Sequence, residues 1–218
     1  MKNEEVRPYY EALRRHRFGL LLKRLFDIVV SLVMLVLLSP ILLILAIIIK
    51  VEDPGPVFYR QVRITQYGKP FRIFKYRTMI VDADQVGAQV TSLNDPRITK
   101  IGKTLRRYRL DELPQLFNVL AGDMSFVGTR PEVPKYVDAY TAEMMATLLV
   151  PAGVTSEASI RYKDEDKLIG EAEDPDKLYI EEILPVKMKY NLEQLRSFSL
   201  WNEFKMLFRT VGAVFGGE

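Results

Sequence analysis

From Ile28 to Ile49 only Ser31, Ser39 and Pro40 interrupt an otherwise apolar run. As a helix, such a stretch spans the roughly 30 Å of a bilayer's hydrocarbon core. The run is too long for the apolar region of a signal peptide, starts too far from residue 1, and has no small-residue cleavage site after it. It is therefore expected to remain in the mature protein. Pro40 lies at its centre, where it removes one backbone donor and crowds the preceding turn. Two arrangements satisfy this pattern: an ordinary kinked span, or a helix that breaks at Ser39-Pro40 and returns to the side it came from. In either one the backbone freed at the proline needs a partner inside lipid, and the Ser39 hydroxyl is an available one.

Charge does not choose between them. Arg14, Arg15, Arg17, Lys23 and Arg24 precede the run, and Lys50, Arg60 and Arg63 follow it, so neither end is marked as the outer one. Over the 218 residues, 31 Lys and Arg against 28 Asp and Glu leave a net charge of only +3, but the signs are segregated. Basic residues dominate up to Arg109 and acids dominate Asp164 to Glu182, a pattern that points to anionic phosphates as partners of the front half. The absence of cysteine excludes disulfides, cysteine metal sites and cysteine nucleophiles.

Beyond the run the texture is that of a globular domain. VFYRQVRI and FRIFKYRTM alternate apolar and basic residues and flank Tyr-Gly-Lys-Pro, as strands around a turn do. VDADQVGAQVTSLNDPRI reads as a polar loop with a short helical piece, and Asn94-Asp95-Pro96 as a turn. In ITKIGKTLRRYRL, residues Ile98, Ile101, Leu105 and Tyr108 recur at helical spacing among lysines and arginines, which predicts an amphipathic basic helix. Pro114 fits the first turn of the next helix, LFNVLAG, which ends at Gly122. Asp111 and Glu112 then stand at a helix start. Capping is the ordinary role of such a pair. Carboxylates kept ionised by a helix terminus and by Arg106, Arg107, Arg109 and Arg130 can instead hold a hard divalent cation or attack phosphorus.

The segments KRLFDIVV, LSPILL, FKYRTM and LDELPQLFNVLAGDMSFVGTRP, in that order, closely resemble the monotopic phosphoglycosyl transferases, the bacterial sugar transferase family that begins glycan assembly on a polyprenol phosphate carrier. The resemblance covers Lys23 to Pro131. It implies an α/β, mostly helical protein in three parts: a basic segment over 1–22, read as an interfacial helix; a re-entrant membrane helix over 23–50, broken at Ser39-Pro40; and a compact catalytic domain over 51–218 on the cytoplasmic face of the membrane. It also implies the small form, without the multi-span N-terminal region of longer relatives.

By the same resemblance Asp111 is the nucleophile that attacks the β-phosphate of a UDP-sugar, releasing UMP and forming an aspartyl phosphosugar that polyprenol phosphate then takes. Glu112, with Asp111, would hold Mg²⁺. Arg106 and Arg130 would bind phosphate, joined by Lys75 and Arg77 of FKYRTM, while Lys23 and Arg24 would pair with lipid phosphates. The expected partners are a UDP-sugar, polyprenol phosphate and the lipid bilayer; a homodimer is left open and nucleic acid is not expected. The product would feed polysaccharide or glycoprotein assembly. Two other readings stand beside this one: a glycosyltransferase that releases UDP, and a non-catalytic membrane-anchored module.

The remainder carries less. VPKYVDAYTAEMMATLLV reads as one helix, with Tyr136, Tyr140, Met144 and Leu148 on a core face. PAGVTSEASIRYKDED departs from the family's pattern after Thr155, and Arg161 or Lys163 is expected to supply positive charge there. Asp174-Pro175-Asp176 reads as polar loop. SLWNEFKMLFRTVGAVF is a terminal helix whose aromatics and bases fit either a membrane interface or docking on the core. His16, among arginines, is expected at the surface.

Overall fold

The computed structural model describes residues 3–83, 95–162 and 174–215. Lys163 and most of the expected loop before Ile98 lie outside these residues. Helix α1 (Arg7–Arg15) buries Tyr9 and Leu13, and Val6 beside it, against Ala146, Leu149, Leu192 and Leu195. These three side chains are thus spent on the protein core. After a break at His16, whose ring packs edge-on against Phe198, helix α2 runs from Arg17 to Glu52.

Helix α2 contains the whole apolar run and extends past both of its expected bounds, 23 and 50. It remains helical through Pro40, so no non-helical break stands at Ser39-Pro40 among its residues. The physical reason is local. Proline has no N–H to give the carbonyl four residues back, that of Val36, and the Ser39 hydroxyl donates to this oxygen at 2.8 Å. Most of the span's apolar side chains are exposed, Leu37 at 70% and Leu43 at 62% among them. A water-soluble core helix would bury them.

The polar residues of α2 are used on the protein. The Arg24 guanidinium donates to the carbonyls of Val119 and Leu120 at 2.6 and 2.9 Å, Lys23 donates to the Val127 carbonyl at 2.8 Å and pairs with Glu203, and the Asp27 carboxylate accepts from the Phe126 N–H at 3.2 Å. Farther along, Leu42, Leu45, Ala46 and Ile49 pack around Tyr76 and Leu105, and the Tyr76 hydroxyl donates to the Leu42 carbonyl at 2.7 Å. The Glu52 carboxylate accepts from the N–H groups of Lys100 and Ile101.

The alternating segments form one long antiparallel hairpin. Strand β1 (Phe58–Tyr59) pairs with β4 (Lys75–Tyr76), and β2 (Val62–Ile64) with β3 (Pro70–Arg72). The register Phe58↔Tyr76 continues as Val62↔Arg72, around a turn where Tyr67 and Gly68 are both left-handed. The ladder is interrupted near Phe74. There the Asn118 side chain stands in for a strand, accepting from the Phe74 N–H at 2.7 Å and donating to the Arg72 carbonyl at 3.1 Å.

Helix α3 (Lys100–Arg107) is N-capped by Thr99, and α4 (Gln115–Ala121) ends at Gly122 with φ +96°, as expected. Strand β5 (Met124–Val127) pairs in parallel with β6 (Ala152–Thr155). Gly153 is required at this crossing, because a Cβ there would lie 2.2 Å from the Gly128 nitrogen.

Between the two strands the expected single helix is absent. The chain forms a short α5 (Pro134–Val137), then turns, then a 3-10 helix over Met144–Leu149. Thr141 redirects it: its hydroxyl accepts from the Met144 N–H, a local bond that competes with helix continuation. Helix α6 spans Glu157–Arg161. The expected loop at Asp174 is instead a helix start. The Asp174 carboxylate accepts from the Lys177 N–H and Pro175 takes the first position of α7 (Pro175–Leu178), which runs through a π-turn (Tyr179–Ile183) into α8 (Leu184–Arg196). Helix α9 (Leu200–Phe215) closes the chain against α2, with Phe204 edge-on to Phe26, while Trp201, Phe208 and Val211 remain exposed.

Candidate active site

Three elements bring the polar residues together. Helix α3 lies against Thr78: a Cβ on Gly102 would sit 2.1 Å from the Thr78 oxygen, the Thr99 N–H donates to that oxygen, and the Arg106 guanidinium donates to the Thr78 hydroxyl at 2.9 Å. The chain then reverses at Arg109, a non-glycine residue with φ +55°. That conformation is sparsely populated and is held where the surrounding structure over-determines it. It delivers a 3-10 turn, Leu110–Glu112, at the start of α4, with Leu110 packed in the cluster that holds Ile49 of α2.

Within this turn the two acids differ sharply. Glu112 is clamped: the Lys75 ammonium sits 2.8 Å from its Oε1, and the Arg130 guanidinium pairs with the same oxygen and reaches Oε2 at 3.4 Å. Burial alone would raise the Glu112 pKa, but Arg130 and Lys75 outweigh it and hold the carboxyl well below its ordinary range. Asp111 is buried and its Oδ1 has no hydrogen-bond partner. Burial pushes its pKa up; Lys75 opposes this and Glu112 adds to it. The expectation from sequence is two ionised carboxylates, whereas the fold makes one acid whose pKa is held down by its cations and one more basic, desolvated acid. Burial also lowers the Lys75 pKa against the pull of Glu112.

Of the expected phosphate-binding residues, Lys75 and Arg130 join the dyad and Arg106 is held beside it through Thr78. Arg77 is placed elsewhere: it pairs with Asp53 at 3.1 Å and supports the turn at Gly55. Lys23 and Arg24 are engaged by protein carbonyls and Glu203, as described above, rather than presented to a lipid headgroup. Lys163 lies outside the described residues.

Two residues of the site were not singled out from sequence. Asn118 bridges the interrupted hairpin and so fixes the approach to Lys75. Gln115 is 1% exposed and neither atom of its amide has a partner. Gln115 opens α4 four residues after Asp111, with Leu113 and Pro114 in helical backbone conformation between them. The legible signal was a pair of amides, Gln115 and Asn118, three residues apart in an otherwise apolar helix.

Residues 18–217 match the family described as bacterial sugar transferase. The chain is 36% identical to the UDP-N-acetylgalactosamine-undecaprenyl-phosphate N-acetylgalactosaminephosphotransferase of Aeromonas hydrophila, over 90% of this chain and 44% of that protein. It is 40% identical to the UDP-glucose:undecaprenyl-phosphate glucose-1-phosphate transferase of Escherichia coli, over 88% of this chain and 39% of that protein. A putative undecaprenyl-phosphate N-acetylgalactosaminyl 1-phosphate transferase of Bacillus subtilis is 43% identical, over 68% of this chain and 82% of its own length. The chain thus spans less than half of the first two relatives and most of the third. The match takes in α2, the dyad and α9 alike, and the chain belongs to the bacterial sugar transferase family.

Proposed function

We propose that this chain is a phosphotransferase that moves a sugar 1-phosphate from a UDP-sugar to undecaprenyl phosphate. The observation that carries the reading is the asymmetry of the dyad: a desolvated aspartate beside a glutamate locked between two cations. Desolvation makes a carboxylate more basic and a better nucleophile once ionised. In this reading an Asp111 oxygen attacks the β-phosphorus, the bond from that phosphorus to the bridging oxygen breaks, and UMP leaves with the bond's electrons. The acyl phosphate so formed is attacked by a phosphate oxygen of the lipid acceptor, which regenerates the Asp111 carboxylate and yields a diphosphate-linked sugar. Arg130, Lys75 and Arg106 supply the positive field for the charge that develops on phosphoryl oxygens.

The residues fit a hard divalent cation. Asp111 Oδ1 lacks a partner and Glu112 Oε2 has only the long contact to Arg130. Among the described residues no group of three or more His, Asp or Glu surrounds them. Mg²⁺ suits such a pair, because it is commonly held by one or two carboxylates with phosphate oxygens and water completing its shell. When bound it would neutralise diphosphate charge.

The membrane reading is a re-entrant one without a non-helical break, in which α2 returns to the face it entered and the domain lies on the cytoplasmic face where nucleotide sugars are dissolved. It is supported by the two ends of α2. Arg24 and Asp27 bond to α4 and β5, and Glu52 bonds to α3, so both ends are tied to a single domain. A span that left the bilayer on the opposite face would carry one end away from it.

The test is nucleotide release in lipid, with Mg²⁺, undecaprenyl phosphate and a panel of UDP-sugars, scoring UMP and UDP separately. UMP release that is lost in Asp111→Asn is the expected result. UDP release would mean glycosyl transfer and overturn the covalent route.

A further inference from the structure

Helix α3 buries Gly102 and Leu105 and turns Arg106 inward to Thr78. At 100° per residue its opposite face carries Lys100, Lys103, Thr104, Arg107 and Tyr108, and all five are exposed. Three are cations and none is an acid. Tyr108 is 57% exposed at the helix end, with the Arg107 guanidinium 5.6 Å from its ring centroid. This face adjoins the end of α2: a groove of about 540 Å³ runs between Ile47, Ile48 and Val51 on one side and Lys100, Ile101 and Thr104 on the other. Val51 is 77% exposed. The Glu52 carboxylate is spent on the first amides of α3, so it caps the helix.

An apolar wall from the membrane-length helix, a row of cations beside it and an aromatic residue at the margin together match one chemistry. We propose that the outer face of α3 and this groove form a docking site for an anionic phospholipid of the bilayer. The groove takes the glycerol and upper acyl region, and Lys100, Lys103 and Arg107 hold the headgroup phosphate. Lysines and arginines near an anionic leaflet attract it additively, and tyrosine is a residue of membrane–water boundaries. The inference rests on the reading that α2 lies in the membrane.

The chain has no cysteine, so a single one can be introduced and labelled. Thr104→Cys carrying an environment-sensitive dye, in vesicles of phosphatidylcholine with increasing phosphatidylglycerol, is the probe; Glu193→Cys, exposed on α8, is the control. The expected result is a saturating blue shift at position 104 only, with added inorganic phosphate without effect. Each of Lys100→Gln and Lys103→Gln should raise the phosphatidylglycerol fraction needed for half the shift by about fivefold. An equal response at both positions, or no dependence on phosphatidylglycerol, would overturn the site. A shift reproduced by inorganic phosphate would overturn the lipid as its occupant. Extraction of the protein from the vesicles by alkaline carbonate would instead overturn the membrane reading itself, and so separates the two failures.

Discussion

Two glutamates, Glu112 and the buried Glu132, hold together different parts of this molecule, and their surroundings are not alike. Glu112 lies between Lys75 and Arg130, with an acid beside it whose Oδ1 has no partner. Glu132, only two residues after Arg130, accepts from the Tyr179 hydroxyl, and the Lys187 ammonium donates to the same hydroxyl at 3.1 Å while standing 3.9 Å from the carboxylate. The Glu132 carbonyl accepts from the Ile64 N–H, and Tyr136, whose ring centroid is 4.5 Å from that of Tyr179, donates to Asp176 at 2.6 Å. The π-turn places Tyr179 inward for this purpose. The second cluster pairs its buried acceptor with donors and joins the hairpin, the Arg130 loop and α8. The first leaves an acceptor uncommitted at the start of a helix. A buried network that is fully satisfied specifies a fold, whereas one with an orphaned group retains free energy for a ligand.

The comparison is broken most severely by Asp111→Asn. This change should lower turnover by about a thousandfold or more while leaving the unfolding midpoint unchanged or higher, read by UMP release and thermal unfolding in the same detergent. Glu132→Ala should do the opposite: it removes the buried acceptor of the Tyr179 hydroxyl and costs about 2 kcal/mol of stability, measured by chemical denaturation. If Glu132→Ala proved as stable as the parent chain, the second cluster would not be a scaffold.

The pH dependence sharpens the contrast within the dyad. Asp111 reacts only when ionised, and its pKa is raised, so the rate of UMP formation should fall about tenfold per unit on an acid limb that lies above the ordinary aspartate range. Lys75→Met, which removes the charge that opposes burial, should move that limb further up. For stability the signs are opposed. A carboxylate with a raised folded pKa costs stability as pH rises through that pKa. Glu112, depressed, contributes stability that is present above the ordinary glutamate range and is lost only as pH falls through its lowered value.

The smallest effects concern single polar groups. Gln115→Met removes two unpartnered amide atoms and should raise stability by about 1 kcal/mol while lowering turnover; a gain in both would make the amide a mere packing defect. Tyr179→Phe, in the Glu132 cluster, should lose about 1 kcal/mol with turnover unchanged.

Much of this architecture was legible because it is local. The apolar run, the helix end at Gly122, the basic face of α3 and the turn at Tyr67-Gly68 depend on neighbours a few residues away, and local patterns report them. Where local signals competed, the reading missed: the Thr141 hydroxyl and the Asp174 cap each changed an element over a few residues. The dyad was visible as two adjacent acids after a basic helix. Its division of labour was not, because the charges that separate Asp111 from Glu112 arrive from Lys75 and Arg130, 37 and 18 residues from the glutamate. The same holds for Lys23 and Arg24. Their charge pointed to lipid phosphates, and only the packed structure showed protein carbonyls and Glu203 within reach. By itself the sequence determined the helices around the dyad, which segment is apolar enough for a membrane, and where the carboxylates stand. The tertiary structure decided which charges are buried together, because burial and distant partners set both the protonation of an acid and the groups left free to react.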